Sequence, residues 1–73
     1  MSKLPAISGK ECVKVLKKID FLVYRQRGSH ITLIRENSST QVTIPNHRTI
    51  AKGTLRNIIR QAGLTVDEFI DLL

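Results

Sequence analysis

The hydrophobic period of this chain changes twice, at Phe21 and again after Pro45, and the two changes limit it to helix, then strands, then helix. Before the first change, Cys12, Val15, Leu16 and Ile19 recur in one stripe at about 100° per residue, while Lys10, Lys14, Lys17 and Lys18 share the opposite sector. Ser8-Gly9-Lys10-Glu11 in front of them is a capping box, in which the Ser8 hydroxyl and the Glu11 carboxylate reciprocally satisfy the orphan amides of a helix start. A first helix is expected from about Gly9 to Lys18, with one face packed and the other a lysine ridge. Residues 1 to 7 hold Pro5 and few anchors, and read as a short leader.

From Phe21 onward the chain groups β-branched, aliphatic and aromatic residues between turn signals, which predicts three short strands. They fall at about Val23–Arg27, His30–Arg35 and Gln41–Ile44. Gly28 makes a tight hairpin of the first pair, the Glu36–Thr40 stretch with Asn37, Ser38 and Ser39 is a longer polar turn, and Pro45 ends the third strand. If Ile31 and Leu33 point at a helix layer, alternation sends His30, Thr32 and Ile34 to the uncovered face.

A loop from Pro45 to Gly53 leads to a second helix, where Leu55, Ile58, Ile59 and Ala62 form an apolar stripe and Arg56, Asn57, Arg60 and Gln61 face water. Gly63 fits a helix stop. Thr65 and Glu68 then form a second capping box, with Leu64 and Phe69 as its hydrophobic staple, so a short last helix closes the chain. The order α-β-β-β-α-α predicts an α+β two-layer sandwich, an antiparallel sheet with helices on one face. At 73 residues, one domain over 1–73 is expected.

Twelve Lys and Arg against six Asp and Glu give a net charge of +6, which points to polyanionic partners. The charge is also divided: residues 1 to 62 carry +9 and residues 63 to 73 carry −3, the latter from Asp67, Glu68 and Asp71. The single Cys12 cannot form an internal disulfide, and with only His30 and His47 beside it no structural zinc is expected. The longest apolar run, Phe21 to Tyr24, is far too short to span a bilayer, and residues 1 to 9 lack a signal-peptide core. A cytoplasmic protein is expected, with no membrane association.

Arg25, Arg27, Arg48 and Lys52 lie at strand ends and in loops near Gly28-Ser29-His30, which favours a phosphate-binding groove. The lysine ridge of Lys10, Lys14 and Lys17 fits either an extension of that groove or a solvated helix face. Histidine titrates near neutral pH, and Gly28-Ser29 before His30 admit a substrate backbone closely, so His30 is a candidate for proton transfer as well as for a merely exposed role. His47 either borders the same site or caps its loop. Ser29 has no Ser-His-Asp arrangement around it, Cys12 sits on the apolar stripe, and the carboxylates are scattered, so neither a nucleophilic side chain nor a metal or other cofactor is expected. For cutting a phosphodiester, the one low-cost route left to such a set uses the substrate's own 2′-hydroxyl as nucleophile, with a histidine to move protons and Lys or Arg to hold the phosphate charge, and only RNA offers that hydroxyl.

Five motifs carry a family resemblance: Ser8-Gly9-Lys10-Glu11, Phe21 followed by Arg25-Gln26-Arg27-Gly28-Ser29-His30, Pro45-x-His47, Lys52-Gly53-Thr54-Leu55-Arg56, and Ile58-Ile59-Arg60-Gln61-Ala62-Gly63-Leu64. In this order and spacing, over nearly the whole chain, they resemble the HicA (YcfA-like) mRNA interferase toxins of toxin–antitoxin systems. The resemblance implies a double-stranded-RNA-binding-domain-like α-β-β-β-α fold, endoribonuclease activity on mRNA that stops translation and growth, and neutralisation by a cognate HicB-type antitoxin. It also implies that His30 is the catalytic histidine. The charge and position of Lys10, Lys14, Lys17, Arg25, Arg27, Arg48 and Lys52, with Gly28, Ser29 and His47 beside them, then make these residues the expected RNA contacts. The chain departs from the family pattern at Asp20, where glycine is frequent, and at Ile31, where many members carry a second histidine. A non-catalytic RNA-binding module of the same fold is the alternative. A DNA-binding helix-turn-helix would present Asp67, Glu68 and Asp71 on its recognition helix, the wrong sign for a phosphate backbone, so direct DNA binding is not expected.

Overall fold

The computed structural model describes residues 3–73, and of the leader Met1 and Ser2 therefore lie outside the described residues. Along the chain come α1 (Gly9–Lys17), β1 (Phe21–Arg27), β2 (His30–Arg35), β3 (Thr40–Pro45), α2 (Lys52–Gln61) and α3 (Val66–Leu72). The strands form one antiparallel sheet in the order β1-β2-β3, so β2 is central and β1 and β3 are edges. The α-β-β-β-α order with a three-stranded antiparallel sheet is the double-stranded-RNA-binding-domain-like arrangement, extended by α3.

Both capping boxes are made. Ser8 and Glu11 exchange backbone-to-side-chain bonds of 3.1 Å each, and Thr65 and Glu68 do the same at 2.8 and 3.1 Å. At the end of α2, Gly63 adopts φ +80°, its amide donates to Arg60 O, and the Leu64 amide donates to Ile59 O. This Schellman closure satisfies carbonyls that the helix leaves open and turns the chain toward α3.

The core lies between sheet and helices. Cys12, Val15 and Leu16 of α1, Leu55, Ile58 and Ile59 of α2, Phe69 of α3 and Phe21, Ile31, Leu33, Val42 and Ile44 of the sheet are all buried in it. Phe69 is fully buried, so truncating it to Ala is expected to cost about 3–5 kcal/mol. Lys18 donates to the Leu72 carbonyl oxygen at 2.6 Å, a cation on the open C-terminal carbonyls of α3 that fastens the last helix to the end of α1.

Three sequence expectations are corrected. The leader is not free of anchors: Leu4 and Ile7 are buried in the core, and the Ile50 amide donates to Ile7 O at 2.8 Å, tying the leader to the loop before α2. The first strand starts at Phe21 rather than Val23, because Phe21 is a core residue and pairs with Arg35. The second helix starts at Lys52 rather than after Gly53. Its first helical bond, Leu55 amide to the Ala51 carbonyl oxygen at 2.9 Å, spans Gly53, and Ala51 gives it no side-chain cap for a sequence reading to find.

Candidate functional site

Three of the sequence motifs meet at one end of the sheet. The Gly9 amide donates to His47 O at 2.9 Å, and the Asn46 amide donates to Ser29 O, so the start of α1, the β1–β2 turn and the end of β3 are held by backbone bonds. Gly9 is required there, since a Cβ on it would stand 2.3 Å from Pro45 O and 2.8 Å from Asn46 Cα. The turn itself is Gly28-Ser29, with positive φ at Gly28 (+56°) and not at Ser29, the pattern of a type II′ hairpin. Gln26 Nε2 donates to Gly28 O at 3.1 Å and braces it. His30 follows at once, exposed, as the first residue of β2.

Cross-strand pairing fixes which side chains share the face that the helices leave open. His30 pairs with Arg27 and Pro45, Thr32 with Arg25 and Thr43, and Ile34 with Leu22 and Gln41. Directly opposed residues lie on the same side of a sheet, and Ile31 and Leu33 occupy the core side, so these residues form the open face. Thr32, in the middle of that face, is nonetheless buried, because it lies between two neighbouring strands.

Arg25 and Arg27 belong to this face only because β1 carries a bulge. The register shifts between Val23 and Arg25, leaving Tyr24 as the extra residue. Uninterrupted alternation would put Arg25 and Arg27 on the side of Phe21 and Val23, beneath the helices. Instead Arg27 stands opposite His30, and Arg25 stands opposite Thr32 on the same face. The Arg25 guanidinium lies over the Tyr24 ring, 5.7 Å from its centroid, a contact that successive side chains of a regular strand do not make. Tyr24 therefore projects on the open side as well.

The lysines occupy the other side of β1. Lys10, Lys14 and Lys17 line a shallow groove of ≈ 350 Å³ between α1 and the sheet, floored by Val13, Val23 and Ile31 and closed by Gln26 and Asn46. The structure thus separates the two basic groups that the sequence places near one histidine. The lysine groove reaches the hairpin end, where Asn46 both lines it and donates its backbone amide to Ser29 O. Arg48 and His47 are exposed in the loop after β3, and Lys52 is exposed at the first turn of α2. Among the described residues no group of three or more His, Cys, Asp or Glu gathers as a metal cage, and no helix is long and apolar enough to cross a membrane.

The family model described as "HicA toxin of bacterial toxin-antitoxin" matches residues 9–64. The chain belongs to the HicA toxin family. As a HicA toxin it is one half of a toxin–antitoxin pair, and a cognate antitoxin is its partner. No curated protein matches the chain. The HicA match begins at Gly9, the residue wedged against Pro45, and ends at Leu64, which closes the cap of α2, so α3 lies beyond it.

Sequence reasoning missed Tyr24 and Asn46. A signal for the first was present: the apolar positions Phe21 and Val23 give way to Arg25 and Arg27 at the same parity, so one strand changes face midway. Asn46 has no such signal, because its part is played by a backbone amide.

Proposed function

We propose that this toxin is a metal-independent endoribonuclease that cuts mRNA at the open face of the sheet, with His30 moving the proton, and so inhibits translation and growth. The observation that carries the proposal is the bulge at Tyr24, which brings two arginines beside the exposed histidine of a tight glycine turn. The substrate's 2′-oxygen attacks the adjacent phosphorus as His30 accepts its proton. The P–O5′ bond breaks, and the departing 5′-oxygen takes a proton from His47 or water. The products carry a 2′,3′-cyclic phosphate and a 5′-hydroxyl. Arg25 and Arg27 face the charge that builds on the pentavalent phosphate, where a preorganised cation is most effective.

Gly28 and Ser29 let the RNA backbone pass close to His30, and the strand continues over the hairpin end toward Lys10, Lys14 and Lys17, with Arg48, His47 and Lys52 along the loop side. Such contacts hold phosphates without reading sequence. The substrate implies a cytoplasmic site of action. A HicB-type antitoxin silences the toxin by covering the open face, because a basic surface attracts an acidic partner. Hydrogen exchange on the complex is then expected to show protection at residues 28–31, and protection confined to α3 would contradict this.

The deciding experiment offers three substrates to the purified toxin, each with and without EDTA: RNA, the same RNA with one 2′-deoxy position at the cut, and DNA. Cutting of RNA alone, unaffected by EDTA, is expected. Cutting of either deoxy substrate, or loss of activity with EDTA, overturns the mechanism, and binding without any cutting returns the protein to a non-catalytic RNA-binding module.

A further inference from the structure

We infer that Tyr24 is a stacking platform for an unpaired nucleobase next to the cut, so that the toxin's substrate class is single-stranded RNA rather than duplex. The inference rests on the ribonuclease proposal and deepens it. Tyr24 is 61 % exposed, on the bulge that builds the open face, and nothing in the core uses its ring. One face of the ring is already taken by the Arg25 guanidinium, which fixes its attitude and leaves a ring on the same side of the sheet as His30. Leu22, 49 % exposed, is apolar surface on the same side of the strand.

The fold on its own points elsewhere, since modules of this kind meet duplex RNA by its shape and phosphates, without needing an aromatic. Within a duplex the bases are stacked on each other, and apart from the two end pairs none offers a free π-face. Away from such ends only a splayed base can lie on Tyr24, and base–aromatic stacking is sequence-tolerant, which suits an enzyme that must act on many messages. An unstacked base also leaves room for in-line attack. A base held on Tyr24 with its phosphate at Arg25 or Arg27 leaves the ribose free to turn toward His30, which a stacked helical strand does not allow.

The sequence contains one tyrosine and no tryptophan, so intrinsic emission reports on Tyr24 alone. The probes are 2′-O-methyl oligonucleotides, which lack the attacking hydroxyl: a single strand with bases, an abasic strand of equal charge, and a blunt duplex. The base-bearing strand is expected to quench the emission and the abasic strand and duplex are not. Removing the bases, or replacing Tyr24→Leu, is expected to weaken single-strand binding by about 5- to 150-fold with an unchanged salt slope, while Tyr24→Phe retains it. Equal affinity for the base-bearing and abasic strands, or unchanged emission at saturation, overturns the inference and leaves the exposed ring to a protein partner. Quenching by the base-bearing strand together with failure to cut unmodified RNA would uphold the platform and count against catalysis, so the two fail separately. If none of the three probes binds, the inference is overturned, while cleavage of unmodified RNA decides the proposed function separately.

Discussion

Gly9 and His47 are joined by a 2.9 Å backbone hydrogen bond at a point where Gly9 has no room for a side chain. The contact sets the first turn of α1 against the end of β3, and through Asn46 and Ser29 it reaches the hairpin that presents His30. The obstructing atoms are backbone, so they cannot swing aside as a flexible side chain would.

Gly9→Ala is therefore expected to cost about 1–3 kcal/mol through overpacking, which in a domain of this size is about 4–8 °C in melting temperature per kcal/mol. Thermal melts of the two proteins test it. An Ala variant with the wild-type melting point would show that the junction does not depend on the glycine.

Asp20 holds φ +72° at the corner between α1 and β1, a conformation that glycine adopts without strain. A left-handed conformation costs a residue with a Cβ about 1–2 kcal/mol, offset by about 0.4–1 kcal/mol of unfolded-state entropy when glycine takes its place. Asp20→Gly is expected to stabilise the protein by about 0.5–1 kcal/mol in denaturant unfolding. A lower midpoint would contradict it.

The elements that positioned the site were largely legible in the sequence because local chemistry specifies them. The two capping boxes, the Gly63 stop and the Leu55–Ala62 stripe each name their own structure, and each is found. Non-local choices were less legible. Leu4 and Ile7 join a core drawn from the whole chain, with Ile7 O bonded by the amide of the distant Ile50, and α2 opens at Lys52 from a helix start without a side-chain cap. The site shows the same division. His30 and its glycine turn are written in one tripeptide, whereas the placement of Arg25 and Arg27 beside it depends on a single bulged residue whose effect appears only in the register of two strands. The lysine ridge was legible as a ridge, but its position across β1 from His30 was not.

Cys12 is fully buried, and that burial pushes its thiol from the ordinary 9.0 up to about 12. The unfolded chain releases this proton near pH 9 while the folded chain keeps it until about 12, so the folded state binds more protons in that window and loses stability as pH rises through it. The loss is expected to run at up to about 1.4 kcal/mol per pH unit. Comparing unfolding of wild type and Cys12→Ala from pH 8 to pH 11 isolates it, and identical pH slopes for the two proteins would refute the assignment.

Lys14 and Lys17 line the groove on the helix side of β1. If they hold the strand that leaves the hairpin, replacing both by Gln lowers the slope of log K against log salt by about 0.7 per contact for single-stranded RNA. Unchanged affinity and slope would make the groove a solvated surface.

The central claim is that His30 carries the chemistry of an RNA-cutting toxin, and the most direct test is the cleavage rate of His30→Ala on RNA, measured beside its melting temperature and its affinity for an uncleavable 2′-deoxy strand. An exposed strand residue contributes little to packing, so fold and affinity are expected to be unchanged while cleavage falls by about 10²- to 10⁴-fold, the contribution of a positioned proton-transfer group. A folded His30→Ala protein that cuts RNA at the wild-type rate would contradict the account.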